Sequence, residues 1–412
     1  MSFEPVFSVI LALIPLFLGA AWKVARISSA SLKSMGLATV GVLGAGLVLM
    51  QSVVEVDPSV MLLAGAVLLS GFCGILGQDA TKQDSVACAS ILIVLGLGLG
   101  VLLHQGLVNR IFLSGLLGYV AVSLSREKRP SSRAKVMFLH LGVAIFLSLS
   151  SVFGGTTWGT FASLFLAMTF LPLAPLHLPF VSVTESAKGT LSSFWIVVWL
   201  TVGLAELNIL YPSLTAGMLF AVSLLALVSA VYASLACLGH QKSNLFVASA
   251  TVAHVALVWG LLDVFSSFSR WGIPFGVALA LVMGGVSLAF SFVRQRYGWQ
   301  IIGKLPGLAS PMPRFGTAMI FLVSFAMFLP LFSTFSGLQF MSTEETHDAG
   351  VIMILFTFLV VWLGGGWSFS QMLHQTAFGT TRPGVPYTDL RKAEFVAVSA
   401  LLLCAGYSGL IH

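Results

Sequence analysis

In a chain of 412 residues, 58% hydrophobic and only 8% charged, the few groups able to bind and release a proton carry most of the chemical interest. His254 stands close to the middle of a long apolar run, and His140 about a third of the way along another. A histidine titrates near neutral pH and can pass protons on, whereas a neutral, hydrogen-bonded core histidine is the plainer reading of both. Glu206 lies near the end of an apolar run, where it can form the mouth of a half-channel or face lipid headgroups. His177 and His374 lie toward one end of their runs, and His104 and Arg110 toward the other. Asp263 and Arg270 read as an interfacial pair, seven positions apart on one helix face. Proton transfer needs groups or waters about 3 Å apart, so a hydrocarbon layer about 30 Å thick requires roughly ten links. One or two central titratable groups supply a small part of that, and water must provide the rest.

The composition also excludes alternatives. Soluble domains carry about a quarter charged residues, and this chain carries 8%, with a mean hydropathy of +1.01. It reads as a polytopic membrane protein, not a kinase, a secreted hydrolase or a nucleic-acid binder. The four cysteines (Cys73, Cys88, Cys237 and Cys404) are isolated within apolar runs, and no Cys/His spacing fits a metal. No metal, haem or iron–sulfur ligand set and no phosphate-binding loop is evident, so no cofactor is expected in this chain. The run 5–24 lacks a basic leader and reads as a first membrane helix rather than a signal peptide.

Fourteen runs are long enough to span a bilayer: 5–24, 35–54, 58–78, 84–104, 107–124, 134–153, 157–180, 190–210, 213–238, 245–267, 271–293, 314–341, 350–374 and 393–411. If they alternate, eighteen of the 20 Lys and Arg fall on one side and only Arg110 and Arg270 on the other. Positive loops stay in the cytoplasm, which puts both termini on the opposite side, as in a bacterial inner-membrane protein. The acidic group Glu344, Glu345 and Asp348 falls on that non-cytoplasmic side. The chain reads as one integral membrane domain, all α-helical, with helices 1–6 over 1–156 and helices 7–14 over 157–412. Its net charge of +6 reports orientation and not a nucleic-acid surface.

Two spans carry breaks. Pro172, Pro175 and Pro179 crowd the seventh, and each removes a backbone donor and clashes with the preceding turn. Broken backbone is not tolerated against lipid, so this segment must be buried or line a wet cavity. The twelfth carries Pro330 and then Ser333 to Gly337, a second expected interruption. Two broken helices five spans apart fit an inverted-repeat transporter core, and kinked helices without a transport role look the same.

Four stretches give a resemblance. Pro172 to His177 (PLAPLH), Ala248 to Leu257 (ASATVAHVAL), Gly303, Leu305 and Met312-Pro313 ahead of the twelfth span, and Trp367 to Gly379 with Asp389-Leu390-Arg391 occur in an order and spacing that resembles the antiporter-like membrane subunits of the complex I/Mrp superfamily. The likeness is nearest to the chain M (subunit 4) proteins of proton-translocating NADH–quinone oxidoreductase. It covers about 157–412 and places His254 on the family histidine. It implies an antiporter-like inverted-repeat fold with about 14 helices, broken at helices 7 and 12. It also implies work inside a hetero-oligomeric membrane complex, in which other antiporter-like and redox subunits would hold any quinone, flavin or iron–sulfur centre.

The departures from that pattern weigh as much. The family moves protons on charged residues buried at mid-membrane. Residues 107–124 hold no carboxylate where the resemblance expects a Glu, Phe170 stands where it expects a lysine, and Val197 to Thr201 contain none. The twelfth-helix charge aligns with Leu338 or Gln339, and Gln cannot titrate. The candidate path is therefore His254, His140, Glu206, His177 and Gln339, with helix breaks at Pro172, Pro175, Pro179, Pro330 and Gly337. The reading is an antiporter-like subunit supporting proton translocation with a weakened or lost channel of its own. The alternatives are an ion/proton antiporter or inorganic-carbon transporter subunit, and a non-transporting scaffold.

Overall fold

The computed structural model describes residues 3–25, 29–53, 56–78, 82–125, 132–152, 156–298, 300–338 and 348–410. Among these, the chain forms fifteen α-helices: α1 (Phe3–Ala25), α2 (Ser29–Val53), α3 (Pro58–Leu76), α4 (Lys82–Leu103), α5 (Gly106–Ser125), α6 (Ser132–Ser150), α7 (Thr156–Phe170), α8 (Leu178–Ser186), α9 (Leu191–Leu210), α10 (Ala216–Gly239), α11 (Ser243–Gly260), α12 (Phe268–Tyr297), α13 (Pro313–Leu338), α14 (Asp348–Thr376) and α15 (Lys392–Leu410). Every predicted span holds a helix, and the seventh holds two. Eleven helices are long and apolar enough to cross a membrane, and α6 and α7 carry shorter apolar stretches. The protein is an all-α integral membrane protein with many spans.

The helix positions divide into two compact units: Met1–Leu171 with Leu176–Ser213, and Pro172–Pro175 with Leu214–His412. In the first, α4 is the central rod, packed by α1, α2, α3, α5 and α9. Glycine allows the closest approach. A Cβ at Gly96 would lie 2.6 Å from the Ala12 carbonyl oxygen, and one at Gly19 would lie 2.7 Å from that of Ala89. Small residues at such crossings replace the hydrophobic drive that lipid does not provide. In the second unit α12 is buried continuously from Trp271 to Val293, with α11, α13 and α15 against it. A helix apolar on every face, as this one is, belongs in a core.

The seventh span breaks where its prolines predict. α7 stops at Phe170, irregular backbone follows, and α8 starts at Leu178. Pro172 and Pro175 lie in the gap, and the Ala174–Pro175 bond is cis. Pro179 falls in the first turn of α8, where a missing N–H costs nothing. The freed backbone finds a partner in α10: the Ala174 N–H donates to Ser229 Oγ at 2.8 Å, and Ser229 is fully buried. This is how non-helical backbone survives at membrane depth.

The expected second interruption is not a break. α13 runs unbroken from Pro313 to Leu338, through Pro330 and Gly337. One proline removes a single intrahelical bond and can be absorbed as a kink, whereas Pro172 and Pro175 remove two donors within four residues. Gln339 and the acidic group at 344–345 lie outside the described residues.

Opposite ends of the second unit differ in finish. The 300–312 connection is fastened to the end of α14 by backbone alone: Gly307, Leu308 and Ala309 N–H groups donate to the carbonyls of Phe378, Thr376 and Ala377 at 2.9–3.0 Å. Gly307 sits at φ +72°, and a Cβ there would come within 2.5 Å of the Gly379 carbonyl oxygen, so no other residue fits. Asp389 accepts from the Arg314 and Phe315 N–H groups at 3.0 and 3.2 Å, capping α13. Glu394 accepts the Arg391 N–H at 2.8 Å and pairs with Arg296 from the end of α12. At the other end, the predicted Asp263–Arg270 pair does not form: Asp263 is half-buried and Arg270 exposed, and no ion pair joins them.

Candidate proton and ion site

In the first unit the break in the seventh span organises the polar groups. His140, on α6, bonds through Nε2 to Thr169 Oγ1 at 3.0 Å, in the last turn of α7. The Thr169 hydroxyl donates its only proton to the Phe165 carbonyl at 2.9 Å. The histidine must therefore donate, which fixes its tautomer as Nε2–H. Trp199 on α9 donates Nε1–H to the Thr169 carbonyl at 2.9 Å, satisfying a carbonyl that the broken helix leaves free. His177, half-buried just ahead of α8, is near enough to His140 for the two rings to interact electrostatically. The structure thus places His140 and His177 within electrostatic range of one another beside the break.

Phe165 meets the His140 ring at 5.3 Å, and further apolar rings pack at the break. Phe170, where the resemblance expects a lysine, is fully buried and packs on Trp199 with ring centroids 4.8 Å apart. Trp199 also meets Phe180 and Trp195, each at 6.2 Å. Val197 to Thr201 are buried, and the Thr201 hydroxyl is turned back onto its own helix at the Val197 carbonyl.

Glu206 occupies a different place in this unit. It is 1% exposed, so it does not face headgroups, and its Oε2 accepts Arg110 Nη1 at 2.6 Å. Arg110 stands in the first helical turns of α5, 96 residues earlier. Its Nη2 reaches Ser163 Oγ on α7 at 3.4 Å, and its carbonyl accepts Ser148 of α6 at 3.3 Å. The guanidinium joins α5 to α9 and α7, and the Arg110 backbone carbonyl adds α6. Glu206 Oε1 is buried and has no hydrogen-bond partner.

His254 belongs to the second unit. It is 1% exposed on α11, and Nδ1 bonds the Ala250 carbonyl one turn back at 2.8 Å. That carbonyl can only accept, so Nδ1 carries the proton and Nε2 presents a bare lone pair. Nε2 makes no hydrogen bond of normal geometry, although the Ala326 backbone is near enough to interact with the ring. The ring fits because α14 offers glycine: a Cβ at Gly365 would lie 3.3 Å from His254 Cε1, and Phe369 meets the ring edge-on at 5.9 Å.

Sequence reasoning placed His254 and His140 in apolar surroundings but missed their neighbours, Thr169 for His140 and Gly365 for His254. It also missed Arg110 as the partner of Glu206. The available signal was that both residues fall at the lysine-poor ends of their spans. Cys73, Cys88 and Cys237 are buried core residues, and all four cysteines are unbridged. Among the described residues no three His, Cys, Asp or Glu side chains gather closely enough to hold a metal ion.

No protein-family model matches the chain. It is 25% identical to NADH-quinone oxidoreductase subunit M of Rickettsia felis over 252 residues, 58% of this chain and 50% of that protein. NADH-ubiquinone oxidoreductase chain 4 of Mycosarcoma maydis matches at 25% over 67% of this chain and 58% of its own length. The chain therefore spans about half the length of the curated relatives it matches. In fold, it superposes on a chain of respiratory complex I from Thermus thermophilus with a TM-score of 0.79 at 17% identity, over 96% of this chain and 94% of that one. A chain of the Mrp complex from Dietzia sp. DQ12-45-1b gives 0.71 at 13% identity, over 100% and 94%. The chain is thus distantly similar in sequence to complex I subunit M and chain 4 proteins and shares its fold with chains of complex I and Mrp assemblies.

Proposed function

We propose that this chain is a membrane-embedded subunit of a complex I-related assembly that supports proton translocation while its own channel is weakened or lost. Phe170 carries this reading. Where the resemblance expects a lysine, a fully buried phenylalanine packs against Trp199 at the broken helix, the two rings tilted by 41°. A ring that cannot titrate, packed against a second ring, offers a proton no station. The chain would cross the membrane fourteen times, with both termini on the non-cytoplasmic side of a bacterial inner membrane. Partner subunits would include other antiporter-like chains and those that hold any quinone, flavin or iron–sulfur centre. Purification in mild detergent tests this: the chain should travel with redox-active subunits, and a stable lone chain would refute the reading.

A second reading, an ion/proton antiporter or inorganic-carbon transporter subunit, is favoured by His254. Its Nε2 is buried beside the Ala326 backbone without a hydrogen bond of normal geometry, where a proton acceptor could sit. In proteoliposomes given a pH jump, His254→Ala should then lower proton flux; flux equal to wild type removes His254 from any path.

A further inference from the structure

The Arg110–Glu206 pair has a directional arrangement. Both residues sit at the end of the first unit where α5 begins and α9 finishes. The guanidinium is the outer member, with 12% of its side chain exposed against 1% for the carboxylate. It also ties α5 to α9 and α7 through Glu206 and Ser163, while the Arg110 backbone carbonyl accepts Ser148 of α6. Glu206 keeps one oxygen, Oε1, buried and unpartnered.

We propose that Arg110 is a positively charged plug that seals this end of the first unit against cations, with Glu206 as its anchor. A cation or hydronium approaching the carboxylate from outside meets the guanidinium first and is repelled. Once there, it would find Oε2 already engaged and a pair whose charges sum to zero. The pair thus denies to cations the only acidic group among the described residues of α9. The two partners are not equivalent. Without Arg110, a bare buried carboxylate remains with its free oxygen, and an uncompensated charge in such a place draws water and counter-ions. Without Glu206, a buried guanidinium remains, which still excludes cations. Ser163 holds the plug's orientation and carries no charge itself.

The test is proton and potassium leak through the full chain in proteoliposomes, driven by an imposed potential, with protein-free vesicles as baseline. Arg110→Gln should raise the cation leak about ten-fold, the low end of what an exposed focused charge does to local counter-ion concentration. Glu206→Gln should stay at the wild-type level, and so should the double variant Arg110→Gln with Glu206→Gln. A pair that serves only to hold helices together predicts equal effects of the two single changes. Equal leaks, or no leak in a folded Arg110→Gln protein, would overturn the plug. If Arg110→Gln does not reconstitute, arginine-directed dicarbonyl modification of the intact wild-type protein provides the second measurement. It should open a leak that is absent after the same treatment of Glu206→Gln; a leak equal in both proteins, or none in wild type, refutes the proposal.

Discussion

Replacing Gly203 by alanine should be among the most damaging single-methyl changes in the first unit. Gly203 lies on α9 where that helix crosses the broken end of α7. A Cβ there would sit 2.7 Å from Leu171 Cγ, 2.7 Å from Leu171 N and 2.7 Å from Phe170 C. Carbon atoms rest at about 3.5–4.0 Å, so each contact must open by roughly 1 Å. A side chain could rotate away, but two of these three atoms are backbone. They are also fixed by the Leu171 N–H bond to the Ala167 carbonyl at 2.6 Å and by Trp199 on the Thr169 carbonyl. Overpacking of this kind costs about 1–3 kcal/mol, or about a 5- to 150-fold fall in the folded-to-unfolded ratio. Trp199 lies beside the site, so thermal unfolding in detergent followed by tryptophan fluorescence should report a lower midpoint and an earlier loss of its packed signal. Gly118→Ala on α5 is the control, because nothing lies within 4 Å of a Cβ there. A Gly203→Ala protein that melts with wild type and with Gly118→Ala would refute the close α7–α9 contact.

Ser229→Ala removes the acceptor for the Ala174 N–H and leaves a backbone donor stranded at the break, for a loss of about 1–3 kcal/mol. Hydrogen exchange at Ala174 should accelerate while exchange in α11 stays unchanged; unchanged protection at Ala174 would contradict the bond. Glu394→Gln strips the charge that Arg296 and Arg391 share and leaves a guanidinium only 13% exposed without its partner. Breaking such a pair costs about 3–5 kcal/mol, read as a lower detergent-unfolding midpoint, and a midpoint equal to wild type would show the pair to be idle. Gly365→Ala should press on His254 Cε1 and shift the imidazole NMR resonances of His254 while leaving those of His140 in place. Unmoved His254 resonances would show that α14 does not contact the ring.

How far the fold could be read from the sequence depended on how local each cause was. Pro172, Pro175 and Pro179 act on their own backbone, so the break in the seventh span was visible residue by residue. The same logic over-reached at Pro330, because one missing donor is a kink and two within four residues are a gap. The all-α, many-span character was legible because apolar length is a local property, whereas the expected fourteen spans met fifteen helices among the described residues, eleven of them long and apolar enough to cross a membrane. The bond from Ser229 was not, since a serine on an apolar helix reads as packing until the helix it faces is known. Glu206 shows the limit most plainly. Its depth near the end of α9 was read correctly, and Arg110 was placed at the same end. Facing one another requires the rotation of α5 and α9 about their axes, which is set by packing on α4 and α7 and not by either segment alone.

The separation of 96 residues between Arg110 and Glu206 has a consequence for biogenesis. At about 5–20 residues per second, synthesis of the intervening chain takes roughly 5–20 s, during which α5 has left the ribosome and its eventual counter-charge does not exist. The arginine must wait out that interval. Its placement in the opening turns of the helix would let the long side chain stretch to the aqueous boundary meanwhile, until Glu206 is there to pair with. The same guanidinium two turns deeper would hinder the insertion of α5 before its partner was made.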